Sequence, residues 1–212
     1  MTKELVLSLF LPIMIGLSSA VYGSDLMDCG NLNNHYGPFD YTNAQHRAEK
    51  MPIVVRAHFT AQVESLTRGQ TAVKPGHDID YTLRAFPNHH RALHSMARYQ
   101  IKSKQSPPPG AQYSAECYFE RAMRFNPSDG MVKMIYGIFL HQIGDYDEAV
   151  VKYRSALALA PESAEIHYNL GLALFDLGEL ADAAKHAKAA YKLGYPLPGL
   201  RNKLLAKGES ID

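Results

Sequence analysis

Along the second half of the chain, apolar residues recur at alternating steps of three and four, the spacing that puts one stripe on each amphipathic helix. Two windows with this pattern superimpose without a gap: 130–163 and 164–197, each 34 residues long. The offset aligns Gly137 with Gly171, Leu140 with Leu174, Gly144 with Gly178, Ala149 with Ala183, Ala156 with Ala190 and Leu159 with Leu193. Each window reads as two helices broken at Gly144 or Gly178, where a residue lacking Cβ can take a left-handed turn. Gly137 and Gly171 fall inside the first helix of each pair, at a cost of about 1 kcal/mol relative to alanine. Close approach of the second helix, with Ala149 and Ala183 offering small surfaces, accounts for that cost. The second helix of the first window opens on Asp145-Tyr146-Asp147-Glu148, a capping-box arrangement.

Earlier units follow the same register more loosely. Ala115, Phe119, Ala122 and Pro127 stand 34 residues before their counterparts and mark a second helix. Its partner spans Asn88 to about Lys102, with Leu93, Met96 and Ala97 as its apolar stripe. The loop Ser106-Pro107-Pro108-Pro109-Gly110 makes this unit, 90–129, about six residues longer than the others. A further second helix, Asp78 to Phe86, is closed by Pro87 and gives a half unit at 78–89. After Pro196 and Pro198, residues Gly199 to Lys207 predict an end-cap helix with Leu200, Leu204 and Leu205 inward.

These residues resemble the tetratricopeptide repeat family. Its pattern of a large residue, Leu-Gly, an aromatic, Ala-x3-Phe and a closing Pro appears as His167-x2-Leu170-Gly171-x2-Leu174 with Ala183-x3-Ala187. It appears again as Lys133-x2-Tyr136-Gly137-x2-Leu140 with Ala149-x3-Tyr153 and Pro161. The resemblance covers about residues 78–207 and implies an all-α fold, a right-handed superhelix of antiparallel helix pairs. It also implies a non-enzymatic adaptor or scaffold that holds a protein or peptide partner on the concave face, lined by the first helix of each pair. Projecting those helices at 3.6 residues per turn nominates Arg91, His94, Arg98, Met131, Met134, Ile138, His141, Tyr168, Asn169 and Leu172 as the groove. Arginines suit carboxylates and methionines adapt to irregular apolar side chains. The alternative for Met131, Met134 and Ile138 is packing on a neighbouring repeat or on the N-terminal segment. Some family members grip a C-terminal carboxylate with Lys and Asn; Asn169 falls at such a position, while the lysine positions are not matched.

The N-terminus changes the setting. Lys3 precedes an apolar stretch from Leu5 to Leu17, followed by small residues, a signal-peptide pattern over 1–23 with cleavage after Ala20 or Gly23. The stretch is shorter than the roughly 20 residues that span a bilayer. A periplasmic or secreted protein is expected, with no stable membrane span after leader removal, and a membrane-associated complex remains an open setting. In an oxidising compartment Cys29 and Cys117 can pair; the alternative is a buried thiol at Cys117, which sits in an apolar helical pattern.

A formal charge of +1 and the lack of any basic run argue against a nucleic-acid partner. No phosphate-cradling loop, glycine-elbow serine or paired metal motif points to an enzyme or a cofactor. Asp78 and Asp80 read as favourable charge at a helix N-terminus. His90 and His94, four apart on one helix, are the candidate metal pair, with His89 nearby, but nothing completes a site. They also carry the alternative function, a small-ligand or metal-binding accessory protein. The segment 24–77 is turn-rich around Tyr36, Phe39 and Tyr41, with one helix expected from Thr60 to Arg68. Its aromatics favour a role as an N-terminal cap on the repeats over a binding surface of its own.

Overall fold

A computed structural model describes residues 29–211. The leader-like residues 1–23 and their cleavage site lie outside the described residues. Among those described there are eleven helices and no strand. No described helix is long and apolar enough to cross a membrane.

Three helix pairs form the body: α5 (His90–Ser103) with α6 (Ala115–Phe125), α7 (Gly130–Gln142) with α8 (Tyr146–Leu159), and α9 (Ala164–Leu177) with α10 (Leu180–Lys192). Each pair packs on the next through α5–α7, α6–α7, α7–α9 and α8–α9. α4 (Pro75–Ala85) packs on α5 as the half unit, and α11 (Gly199–Leu205) closes the other end against α9 and α10. The first helices start alike. Nδ1 of His89, the carboxylate of Asp129 and the hydroxyl of Ser163 each accept from the backbone N–H three residues on, at Ala92, Val132 and Ile166, satisfying donors that a helix start leaves free. Asp145 likewise accepts from Glu148 N–H. Gly178 closes α9 in the left-handed region, φ 92°.

The pairs close on their glycines in two ways. A Cβ on Gly137 would stand 2.7 Å from the ring of Tyr153, and one on Gly171 would stand 2.6 Å from Leu200 Cδ2 and 3.3 Å from Ala183 O. Position 153 corresponds to Ala187 in the next unit. The large tyrosine therefore fills the first notch from α8, whereas the small alanine leaves the second notch to Leu200 of the cap helix. Leu200 and Leu204 are buried, but Leu205 is exposed, contrary to its expected inward face, because α11 is only two turns long and touches the array along one side.

The N-terminal segment is more helical than its sequence suggests. It contains α1 (Ala44–Glu49), α2 (Met51–His58) and α3 (Ala61–Glu64). The helix expected over Thr60–Arg68 stops after one turn, where Leu66 adopts φ 60° so that its side chain can be buried. The segment packs on α4 and α5: Phe39, Tyr36 and Tyr41 gather with Val54 around Ala85 and Phe86, and Phe39 N–H bonds Ala85 O at 2.8 Å.

Polar latches fix this cap. Asn88 donates to Asp40 and Asp129 at 2.8 and 3.0 Å, joining the segment to the starts of two first helices. Asp78 is wholly buried and accepts from Gln70 N–H, Thr71 N–H and the Thr71 hydroxyl, with His58 Nδ1 at 3.1 Å. Burial works to raise its pKa, yet the bonds from Thr71, His58 and Gln70 prevail and hold it below the ordinary carboxylate value. Asp80 accepts from the Tyr118 hydroxyl and pairs with Arg84 at 3.0 Å. Asp78 thus stands in the first turn of α4, as its sequence position suggested, and both carboxylates are in addition engaged in tertiary contacts. Cys29 and Cys117 are joined in a disulfide across 88 residues. Beside it, Arg121 donates to the carbonyls of Cys29 and Asn31 at 2.7 Å each.

Candidate functional site

The nominated groove residues divide by depth. Arg91, His94, Arg98 and Met131 are exposed on α5 and α7. Ile138 and Leu172 are half-buried against the main core, and Asn169 is half-buried on α9. Met134 and Tyr168 are only 4% and 7% exposed, so they do not form an open groove wall. The reason lies in the stacking. First helices pack on first helices through α5–α7 and α7–α9, and a helical wheel of one helix does not show which stripe that seam consumes. Tyr168 stacks on Tyr195 with centroids 4.1 Å apart, under the turn that leads into the cap helix.

Two of the nominated residues, exposed Arg91 and half-buried His141, are committed within the chain. Arg91 pairs with Glu64 of α3 through both nitrogens of its fork, and Ser95 Oγ donates to Glu64 O at 3.1 Å. His141 Nε2 lies 2.9 Å from Asp176, whose other oxygen accepts from Lys203 at 3.1 Å. Burial tends to raise the Asp176 pKa, but the bonds from His141 and Lys203 bring it below normal. The surface between α5 and α7 is what stays open. Arg98, Lys102 and Lys104 have no ion-pair or hydrogen-bond partner for their side chains among the described residues.

Two adjoining hollows lie at the C-terminal ends of α5 and α7. One, about 390 Å³, is lined by Leu66, Arg98, Ile101, Lys102 and Gln142. The other, about 340 Å³, shares Ile101 and Gln142 and adds Ile143 and the start of the proline-rich loop. Sequence projection found Arg98 and missed Ile101, Lys102, Gln142 and Ile143. The spacing Arg91, His94, Arg98, Ile101 continues one helical stripe and was a readable signal. Leu66 and the loop residues lie outside any repeat pattern.

The histidines do not converge. His90 Nε2 lies 2.9 Å from Asp129, whereas His94 is exposed on α5. No group of three or more His, Cys, Asp or Glu side chains suited to a metal occurs among the described residues. His89 is 2% exposed, and burial pushes its pKa down to about 3, leaving a neutral imidazole whose Nδ1 caps α5. His167 and His186 face one another, Nδ1 to Nδ1, at 2.9 Å. Burial and His167 together push His186 down to about 4.

Part of this array matches a known family. Residues 139–178 match the model of the TPR repeat, from the last turn of α7 through α8 and α9. Among solved structures, a chain described as a point mutant of MamA is similar, with a TM-score of 0.40 and 17% identity over 68% of this chain and 97% of that one. No curated protein sequence matches the chain.

Proposed function

We propose that this protein is an exported, non-enzymatic scaffold that holds a protein or peptide partner on the first-helix face of its repeats. The observation that carries the reading is the exposed stripe Arg91, His94, Arg98 and Met131, running along helices of an array whose 139–178 segment matches the TPR repeat. TPR arrays generally bind other polypeptides. The leader-like N-terminus supports export, and the Cys29–Cys117 bridge fits an oxidising compartment.

The buried positions of Met134 and Tyr168 move the test outward. A photoreactive residue at Met131, activated in the native cell, should crosslink to one reproducible partner, and one at exposed Val151 on α8 should not. Absence of any adduct at Met131, or the same adducts at both positions, would remove the groove reading. Export is checked separately: the mature protein should begin just after Ala20 or Gly23 and lie outside the cytoplasm. A chain starting at Met1 inside the cell would overturn that part.

A further inference from the structure

We propose that the two hollows at the ends of α5 and α7 bind an acidic peptide segment carrying a branched apolar side chain between its carboxylates. The inference rests on the scaffold reading and adds the chemistry of the partner. Arg98 and Lys102, one helical turn apart on α5, stand at the first hollow, and Lys104 stands at the second. No carboxylate among the described residues lines either one. Glu116, the acid that Gln100 approaches, is held by both amide bonds from Gln100 Nε2 at 2.9 and 3.0 Å. Elsewhere on this face the cations Arg91 and Lys203 are neutralised by Glu64 and Asp176. Arg98, Lys102 and Lys104, each without a side-chain partner among the described residues, are thus three cations grouped at one place in a chain of net charge +1.

Between these cations the floor is apolar. Ile101 and Ile143 are 38% and 49% exposed, and Leu66 closes one side. Charge alone would satisfy the cations with any polyanion, but only a ligand that also carries an apolar side chain covers the two isoleucines. The two volumes, about 390 and 340 Å³ around a shared wall, suit a few extended residues. The walls come from what the 34-residue unit lacks: Leu66 from the N-terminal cap, and Lys104, Gln105 and Ser106 from the lengthened loop. The departures from the repeat pattern thus build the recognition surface.

Fluorescence anisotropy with the full chain tests this. The probe is a fluorescein-labelled dodecapeptide of glycine and glutamate with one central isoleucine; its counterparts carry lysine for glutamate or serine for isoleucine. The acidic isoleucine peptide should bind at least tenfold tighter than either counterpart, and Arg98→Glu with Lys102→Glu should weaken it at least tenfold. Circular dichroism should be unchanged, because both side chains are exposed and unpaired. Equal binding of the serine peptide, equal binding of an oligothymidine strand, or indifference to the double substitution would overturn the proposal. If the acidic peptide does not bind while Met131 still crosslinks a partner, the acidic specificity falls and the scaffold reading stands. If it binds as expected while Met131 yields nothing, the reverse holds.

Discussion

At the scale of single residues, the array depends on volumes matched across helices. Gly137 faces the ring of Tyr153, which is 1% exposed and has no room to turn away. Gly137→Ala gains about 1 kcal/mol of helix propensity, but a crowded core costs about 1–3 kcal/mol. We expect a net loss of about 1 kcal/mol in urea unfolding, reversed in part by Tyr153→Leu. Gly171→Ala meets the tip of Leu200, a flexible group, and should lose less. Equal losses at the two sites would show that the ring does not set the limit. The 34-residue register made both glycines legible, and close approach was the right reason for them. What the sequence could not show was the filler. At Gly171 the backbone of Ala183 does face the notch, beside Leu200, but at Gly137 the ring of Tyr153 takes the place expected of Ala149, because side-chain reach across helices is set by packing and not by spacing.

At the scale of elements, the N-terminal segment is held to the repeats by a disulfide, by Arg121 on the carbonyls of Cys29 and Asn31, and by the Asn88 and Asp78 latches. Closing a loop across 88 residues is worth about 4–5 kcal/mol in the chain-entropy view. Cys29→Ser with Cys117→Ser should therefore lower unfolding stability by about 2–4 kcal/mol. It should also open residues 30–43 to limited proteolysis while the α7–α10 helices keep their protection. Unchanged cleavage would mean that the latches alone hold the segment. The helix pairs from α5 onward could be read from the sequence because apolar periodicity and glycine breaks repeat there. The cap could not. Its helices have four to eight residues, too short for a period to emerge, and its contacts depend on buried aspartates, which in sequence look like solvated charge. Of the nominated groove residues, outward projection was legible at Arg91, His94, Arg98 and Met131. It was not at Met134 and Tyr168, which are buried, Tyr168 under Tyr195 of the turn before α11.

For the whole molecule, stability should depend on pH through its histidines and aspartates. His89 and His186 have folded pKa values of about 3 and about 4, below the ordinary 6.5. Below pH 6.5 the unfolded chain takes protons that the folded chain refuses, so stability falls as pH drops from 6.5 toward 4, and little changes above 6.5. Asp40, Asp78 and Asp176 have lowered values, so they stabilise above the ordinary 3.8 and lose that contribution on further acidification. A thermal melt should be flat from pH 8 to 7 and shift downward from 6.5 to 4. His89→Asn keeps a capping side chain without a titrating group and should make that shift shallower. An identical slope in the variant would assign the loss elsewhere.

The seat of Leu200 in the notch at Gly171 also constrains how such an array can grow. A further unit joined after α10 would need the surface that α11 already occupies, and it would find the cap's leucine where its own first helix should stack. Lengthening by duplication is therefore blocked at this end. New copies would have to enter where one unit already meets another, between α6 and α7 or between α8 and α9, leaving the last glycine and its stopper together.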